Sequence, residues 1–128
     1  MSQLFFDEMG IRKPDYNLGI HSLPHEEMVA QMQSQIEVVI DKVCPDWVLV
    51  YGDTDSTLAG AQAACARHIR LCHVEAGLRS FNNQMREEFN RVHTDKLSDL
   101  LFAPTERAIS NLRKEGIAAG RIVPTGDV

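Results

Sequence analysis

The sequence lacks the features that mark several large classes of protein. Its 128 residues carry a net charge of -5, so there is no excess of Lys and Arg from which a nucleic-acid-binding groove is built. No apolar run approaches the roughly 20 residues of a membrane-spanning helix. The first ten residues, MSQLFFDEMG, have neither a basic start nor a long apolar stretch, and we expect no signal peptide.

Metal-binding and phosphate-binding fingerprints are also missing. The cysteines are odd in number and have no CxxC spacing, which favours reduced thiols in the cytoplasm over a disulfide framework or a zinc site; they are Cys44, Cys65 and Cys72. The histidines show no HExxH spacing, so we predict no metal site. Neither GxGxxG nor GxxxxGK[ST] occurs, so the sequence predicts neither a dinucleotide site nor a P-loop.

Apolar runs alternate with helical patterns along the chain. Strands are predicted at 47–52, 70–74, 100–103 and 121–126, and helices at 3–9, 25–43, 55–69, 86–97 and 106–115. The first run, WVLVYG, is typical of a strand that is buried on both faces. The small residues of the helix at 55–69 favour close packing on a sheet. The alternation predicts an α/β fold with a parallel, Rossmann-like sheet.

Polar residues follow each predicted strand. Ligands bind beyond the carboxyl ends of the strands in open α/β sheets, so we expect the four turns to open on one edge; they are 52–57, 75–79, 104–105 and 125–127. The first turn, GDTDST, offers hydroxyls and backbone N–H groups at a helix N-terminus, where phosphate binds readily. Thr54 is therefore a candidate substrate-binding residue, although Asp, Ser and Thr are also the ordinary N-caps of such a turn.

Three carboxylates are the candidate catalytic groups. Glu75 directly follows a predicted buried strand, where a carboxylate would be partly desolvated. Glu87 and Glu88 begin the next helix, where acids also interact favourably with the helix dipole. We predict that Asp53, Glu75 and Glu87 converge on one ligand and divide acid and base roles between them.

Two arginines are the candidate phosphate ligands. The guanidinium groups of Arg79 and Arg91 are suited to hold a phosphate through forked hydrogen bonds. His73 lies within a predicted strand, and a buried structural role is favoured over a catalytic one.

Four segments together resemble a known family. YGDTDSTLAG (51–60), HVEAGLRSFN (73–82), REEFNR (86–91) and DLLFAPT (99–105) resemble the UDP-N-acetylglucosamine 2-epimerases, most closely the non-hydrolysing bacterial type. HVEAGLR followed by EExNR is the specific part of the pattern, and the similarity runs through nearly all 128 residues.

The resemblance implies an enzyme that interconverts UDP-GlcNAc and UDP-ManNAc. The family eliminates UDP to leave 2-acetamidoglucal, and the two recombine with the opposite configuration at C2, without a cofactor. Asp53, Glu75 and Glu87 match the family's proton-transfer carboxylates, and Arg91 matches an arginine that positions the nucleotide or these carboxylates. The resemblance also implies a cytoplasmic homo-oligomer that acts in cell-surface polysaccharide biosynthesis.

The sequence departs from the family pattern at three positions. Arg86 stands where the family usually has Pro, which would preset the first helical turn. Phe89 stands where a smaller residue is usual. Asp55 stands where Asn is common, and it adds a negative charge near the expected phosphate.

The resemblance implies a partial domain. The family has a two-domain, glycosyltransferase-B-like fold that begins with a strand and a GTRPE-like turn, which are not found in these residues. We therefore expect residues 1–128 to form an incomplete N-terminal Rossmann-like domain with little activity by itself. Two alternatives stay open: a hydrolysing epimerase that releases ManNAc and UDP, and a non-catalytic module that assembles with another chain.

Overall fold

The computed structural model describes residues 7–20 and 23–126 of the chain. Helices and strands alternate in that part; their bounds are α1 His25–Val43, β1 Trp47–Tyr51, α2 Asp55–Ala66, β2 Arg70–Val74, α3 Arg86–Leu97, β3 Leu100–Ala103, α4 Glu106–Lys114 and β4 Ile122–Pro124. Residues 7–9 are also helical, and a 3-10 helix at Ala119–Arg121 precedes β4. Two predictions lie outside the described residues, namely positions 3–6 of the first helix and Asp127 of the fourth turn.

The four strands form one parallel sheet in the order β1-β2-β3-β4. Val50 pairs with His73 and His73 with Leu101, so the strands are in register through the middle of the sheet. One helix joins each strand to the next, which is the crossover that parallel neighbours require. The predicted α/β fold with a parallel sheet is confirmed, and all four carboxyl ends lie on the same edge.

Two predicted elements end two or more residues earlier than expected. Helix α2 ends at Ala66 rather than at residue 69, because His68 adopts a left-handed φ of 56° that a helix cannot continue. Strand β4 ends at Pro124 rather than at residue 126. The pair formed by Pro124 and Ala103 of β3 is also the last pair between these two strands.

Helix α2 lies close to the sheet because its side chains are small. Ala59, Ala61 and Ala63 are fully buried. A Cβ atom at Gly60 would come within 3.0 Å of a methyl group of Val50, so the helix approaches the sheet as closely as a glycine allows. The close packing predicted from the small residues is confirmed.

The opposite face of β1 is open. Trp47, Leu49 and Tyr51 are exposed by 38%, 47% and 65%, in alternation with the buried Val50. The prediction that β1 is buried on both faces is therefore wrong for the described residues. The helices in this part of the chain cover only one face of β1 and leave the other in contact with solvent. The apolar composition of the strand is nevertheless that of a strand covered on both sides.

Candidate active site

A cavity of about 510 Å³ lies beyond the carboxyl ends of the strands. The ends of all four strands contribute to its lining, through residues that include Tyr51, Glu75, Pro104 and Thr125. The turns after the strands therefore open on one edge of the sheet, as the sequence predicts.

Glu75 lines this cavity. The residue is exposed, so the predicted desolvation of Glu75 is wrong: the strand before it is buried, but the chain turns outward at Glu75 with a left-handed φ of 71°. Its Oε2 atom lies 3.7 Å from the position of a Cβ atom at Gly52, so the neighbouring turn leaves room for it. Among the described residues, Glu75 forms no hydrogen bond or ion pair, and its carboxylate is accessible to a ligand.

Asp53 is held by Arg91. Its Oδ2 atom accepts hydrogen bonds from Arg91 Nε at 3.0 Å and Nη2 at 2.7 Å. Asn90 donates to the backbone carbonyl of Asp53 at 2.9 Å and fixes the turn from the other side. The side chains of Asp53 and Arg91 are 32% and 18% exposed, so the pair stays within reach of solvent while its geometry is fixed.

The two glutamates at the start of α3 have different environments. Glu87 is exposed and makes no hydrogen bond or ion pair within the part of the chain that the structure describes. Glu88 is 3% exposed and accepts from Ser80 N at 3.0 Å, from Phe81 N at 2.5 Å and from Arg91 Nη1 at 3.3 Å. Burial raises the pKa of Glu88, but these hydrogen bonds outweigh it and hold the pKa below its ordinary value.

Sequence reasoning missed the importance of Glu88. The acids at positions 87 and 88 both suit a helix N-terminus, so composition does not distinguish them. The available signal was the spacing of three residues from Glu88 to Arg91, which places the two side chains on the same face of a helix. The carboxylate also binds two backbone N–H groups of a loop, and no local pattern predicts that contact.

Arg79 is not a free phosphate ligand, and its predicted role is wrong. Its guanidinium is 2% exposed and donates to Glu115 Oε1 at 3.0 Å, to Glu115 Oε2 at 2.7 Å and to Asp95 Oδ2 at 2.8 Å. Burial lowers the pKa of Arg79, but Glu115 and Asp95 together raise it above its ordinary value. The arginine is therefore part of a buried ion-pair network, because two protein carboxylates occupy the donors that a phosphate would need.

His73 has the buried structural role that the sequence predicts. The residue is fully buried, with Nδ1 2.6 Å from Asp95 Oδ1 and Nε2 2.8 Å from the carbonyl oxygen of Gly52. Asp95 also accepts from the backbone N–H of Gly77 at 3.0 Å. His73 and Asp95 thus connect the turn that carries Asp53 with the turn that follows Glu75.

Thr54 is the N-cap of α2. Its hydroxyl accepts a hydrogen bond from the backbone N–H of Thr57 at 3.3 Å. This is the ordinary N-cap role that the sequence indicated as the alternative to substrate binding. The residue is exposed beside Asp53. Its structural role is therefore clear, whereas a contact with substrate stays a prediction.

Arg86 contacts both of the other departures from the family pattern. Arg86 Nε donates to Asp55 Oδ1 at 3.0 Å, and the Arg86 guanidinium lies 5.7 Å from the ring centroid of Phe89. Asp55 also bonds to His25 at 2.7 Å and to Asn90 at 3.1 Å. Burial raises the pKa of Asp55, but the bonds to His25, Arg86 and Asn90 outweigh it and lower the pKa. The negative charge of Asp55 is thus compensated within the protein.

No helix in the described ranges is long and apolar enough to cross a membrane. Nor do those ranges contain three or more His, Cys, Asp or Glu side chains grouped so that they could bind a metal ion.

These features define a Rossmann-like α/β domain with solvent-accessible carboxylates at the carboxyl ends of its strands. Comparison with known families then identifies the group. The family model for UDP-N-acetylglucosamine 2-epimerase matches residues 1–128. The chain belongs to the UDP-N-acetylglucosamine 2-epimerase family.

Similar proteins come from bacteria and archaea. The chain is 55% identical over 130 residues to UDP-2,3-diacetamido-2,3-dideoxy-D-glucuronate 2-epimerase of Pseudomonas aeruginosa, covering 100% of this chain and 37% of the relative. It is 49% identical over 127 residues to UDP-N-acetylglucosamine 2-epimerase of Methanocaldococcus jannaschii, covering 99% of this chain and 35% of the relative. The crystal structure of the M. jannaschii UDP-GlcNAc 2-epimerase with UDP-GlcNAc and UDP matches with a TM-score of 0.91 and 50% identity, covering 94% of this chain and 33% of that one.

Proposed function

We propose that this chain takes part in the epimerisation of a UDP-sugar at C2, interconverting UDP-GlcNAc and UDP-ManNAc. The proposal is carried by one observation: Asp53 is fixed by Arg91, while Glu75 and Glu87 have no partner in the described chain. One ordered and two accessible carboxylates at the ends of strands suit a reaction that needs proton transfer in both directions.

The reaction requires one group that removes a proton from C2 and one that returns a proton to it. A carboxylate removes the C2 proton as the C1–O bond breaks, which leaves 2-acetamidoglucal and UDP. UDP then adds back at C1 and a proton is delivered to the other face of C2. Asp53, Glu75 and Glu87 are the proposed proton-transfer groups, and Arg91 is proposed to orient Asp53. Thr54 is proposed to contact the substrate at the N-terminus of α2.

We also propose that residues 1–128 correspond to part of the N-terminal Rossmann-like domain of a two-domain, glycosyltransferase-B-like protein. Two observations support this. The chain spans 37% of the P. aeruginosa relative and 35% of the M. jannaschii relative, and one face of β1 is open. The substrate would then bind between this edge of the sheet and a second domain. A cytoplasmic homo-oligomer acting in cell-surface polysaccharide synthesis is the setting that we propose for the whole protein.

A chimera tests the proposed reaction. Residues 1–128 replace the matched segment of the M. jannaschii relative, and the product is incubated with UDP-GlcNAc in D₂O. Deuterium is expected at C2 and UDP-ManNAc is expected to form, because the relative supplies the opposite wall of the site. Asp53→Asn in the same chimera is the matched control and is expected to abolish exchange. A folded chimera without exchange would contradict the proposed reaction. Exchange at a family-like rate by the isolated chain would contradict the claim that residues 1–128 form only one wall of the site.

A second substrate is favoured by the 55% identity to the P. aeruginosa relative, whose name specifies a 2,3-diacetamido uronate. A chimera in each relative, assayed with both UDP-sugars, separates the two candidates. If residues 1–128 determine the choice, both chimeras prefer the same sugar. If each chimera keeps the preference of its parent, this segment does not determine the choice. Detection of free ManNAc in place of UDP-ManNAc would identify the hydrolysing reaction.

A further inference from the structure

Glu88 is a buried acid that the proposed proton transfers do not use. Its two oxygens accept hydrogen bonds from the backbone N–H groups of Ser80 and Phe81 and from the guanidinium of Arg91. A carboxylate with this many donors stays ionised and is a poor proton donor. One side chain therefore fixes both a loop and an arginine.

The loop that Glu88 binds has a strained backbone. Phe81 has a left-handed φ of 59°, which a bulky side chain rarely adopts, and its side chain is 74% exposed. Strain of this kind persists where surrounding contacts hold it, and it is common at functional sites. The bonds from Ser80 N and Phe81 N to Glu88 connect this turn to helix α3.

The arginine that Glu88 binds is the one that fixes Asp53. Arg91 uses Nη1 for Glu88, and it uses Nε and Nη2 for Asp53. With both ends of the guanidinium engaged, its plane cannot rotate without breaking a hydrogen bond. Ser80 and Arg91 also line the same cavity, of about 260 Å³, so the loop and the arginine border a common space.

We propose that Glu88 is a positioning residue, which couples the strained Ser80–Phe81 loop to the Arg91–Asp53 pair so that both face the sugar nucleotide in a fixed geometry. The inference rests on the proposed epimerase function, and it assigns to the second glutamate of the pair a role distinct from that of Glu87. Glu88 itself does not touch the substrate.

Kinetics of the M. jannaschii chimera test the proposal. Glu88→Gln is expected to lower kcat about 100-fold, with a smaller change in KM, because misplacement of a catalytic group by about 1 Å has an effect of this size. Glu88→Asp keeps the charge and is expected to recover part of the loss. Glu27→Gln is the control, since it also removes an acid from the first turn of a helix, but an exposed one, and it is expected to leave kcat unchanged within about twofold.

A second variant separates positioning from folding. Adding Phe81→Gly to Glu88→Gln removes the backbone strain, because glycine adopts a positive φ readily. The double variant is expected to regain thermal stability over Glu88→Gln without regaining kcat. Recovery of kcat as well would overturn the proposal, since Glu88 would then act only by folding the loop.

The 128-residue chain gives a readout that does not depend on activity. The amide proton of Phe81 and the Nε proton of Arg91 are expected to shift in the NMR spectrum of Glu88→Gln, and both are expected to stay in place in Glu27→Gln. Unchanged signals would overturn the proposal. An active wild-type chimera with unaltered Glu88→Gln kinetics would overturn this inference alone, whereas an inactive, folded wild-type chimera would overturn the proposed function together with it.

Discussion

At the scale of single residues, the candidate site depends on which acids are paired and which are free. Glu88 is saturated with donors and Asp53 is held by Arg91, whereas Glu75 and Glu87 are exposed. The same residue type therefore serves two purposes within one site. The hydrogen bonds of Glu88 fix the local geometry, whereas Asp53, Glu75 and Glu87 are the groups that we propose for proton transfer.

The buried carboxylate predicts a pH dependence of stability. The folded-state pKa of Glu88 is below its value in the unfolded chain, so the unfolded state binds more protons as the pH falls. Its contribution is fully present above the ordinary glutamate pKa of about 4.3 and is lost as the pH falls through the lower folded-state value. Glu88→Gln is expected to reduce stability at pH 7 and to flatten the acid slope, as measured by urea unfolding between pH 7 and pH 3.

Asp55 provides the control for that measurement. Its pKa is lowered as well, so the wild-type slope contains more than one contribution with the same sign. Asp55→Asn is expected to remove a different part of the slope, at a lower pH. An acid slope that is identical in wild type and Glu88→Gln would contradict the assignment to Glu88.

Gly77 predicts a large effect of one methyl group. A Cβ atom there would lie 2.5 Å from the carbonyl oxygen of Ala108, and its φ is 84°. Gly77→Ala is expected to destabilise the protein by about 3 kcal/mol, because α4 must move away and the backbone is strained. Gly120→Ala is the matched control, since a Cβ atom at Gly120 meets nothing within 4 Å. Equal midpoints for the two variants in chemical unfolding would contradict this prediction.

At the scale of elements, the N-termini of α2 and α3 are tied together by charge. Asp55 lies in the first turn of α2, and Arg86 is the first residue of α3. Their ion pair connects the turn that contains Asp53 with the helix that contains Glu87 and Arg91. Two of the three departures from the family pattern, Asp55 and Arg86, are therefore not independent, because each provides a partner of the other.

A double-mutant cycle tests this coupling. Asp55→Asn and Arg86→Pro restore the residues common in the family, and Pro is well tolerated at the first position of a helix. Each single change is expected to destabilise the chain because it removes the ion pair between Asp55 and Arg86. The coupling energy is expected to be about 1 kcal/mol, as for contacting pairs in other proteins. Additive effects in thermal unfolding would show that the pair is not coupled.

At the scale of the whole molecule, the sheet is covered unequally. One face packs against α2 and its neighbours, whereas Trp47, Leu49 and Tyr51 remain exposed on the other. This open face adjoins the cavity at the strand ends, since Tyr51 belongs to both. The arrangement supports the proposal that the substrate binds between this chain and a further wall.

Thiol labelling tests whether solvent reaches strand β2, which contains Cys72. Cys44 and Cys65 are exposed and Cys72 is buried. Burial raises the pKa of the Cys72 thiol, and the nearby Asp99 raises it further, so little reactive thiolate is present. Two thiols are expected to react rapidly with a thiol reagent, and the third only on unfolding. Rapid reaction of all three, with Cys72→Ser as the control, would show that the open face admits solvent to β2.

Local pattern was enough to predict the elements and their order. The alternation of runs such as WVLVYG with helical segments predicts the parallel sheet, and its topology places the turns after all four strands on one edge. The motifs HVEAGLR and EExNR also identified the family, which the match over residues 1–128 confirms. These features follow from the chain itself because periodicity and motif spacing are local properties.

Only the tertiary structure decided which side chains are free. The sequence predicts Arg79 as a phosphate ligand. In the structure its guanidinium pairs with Asp95 and Glu115, which are distant in sequence. The sequence indicates only that Glu88 is an acid at a helix N-terminus. The tertiary structure shows that its carboxylate accepts a hydrogen bond from the backbone N–H of Ser80 in a separate loop. Sequence determines which charged groups are present near the strand ends, but their availability depends on long-range partners, because a hydrogen bond satisfied within the protein is no longer available to a ligand.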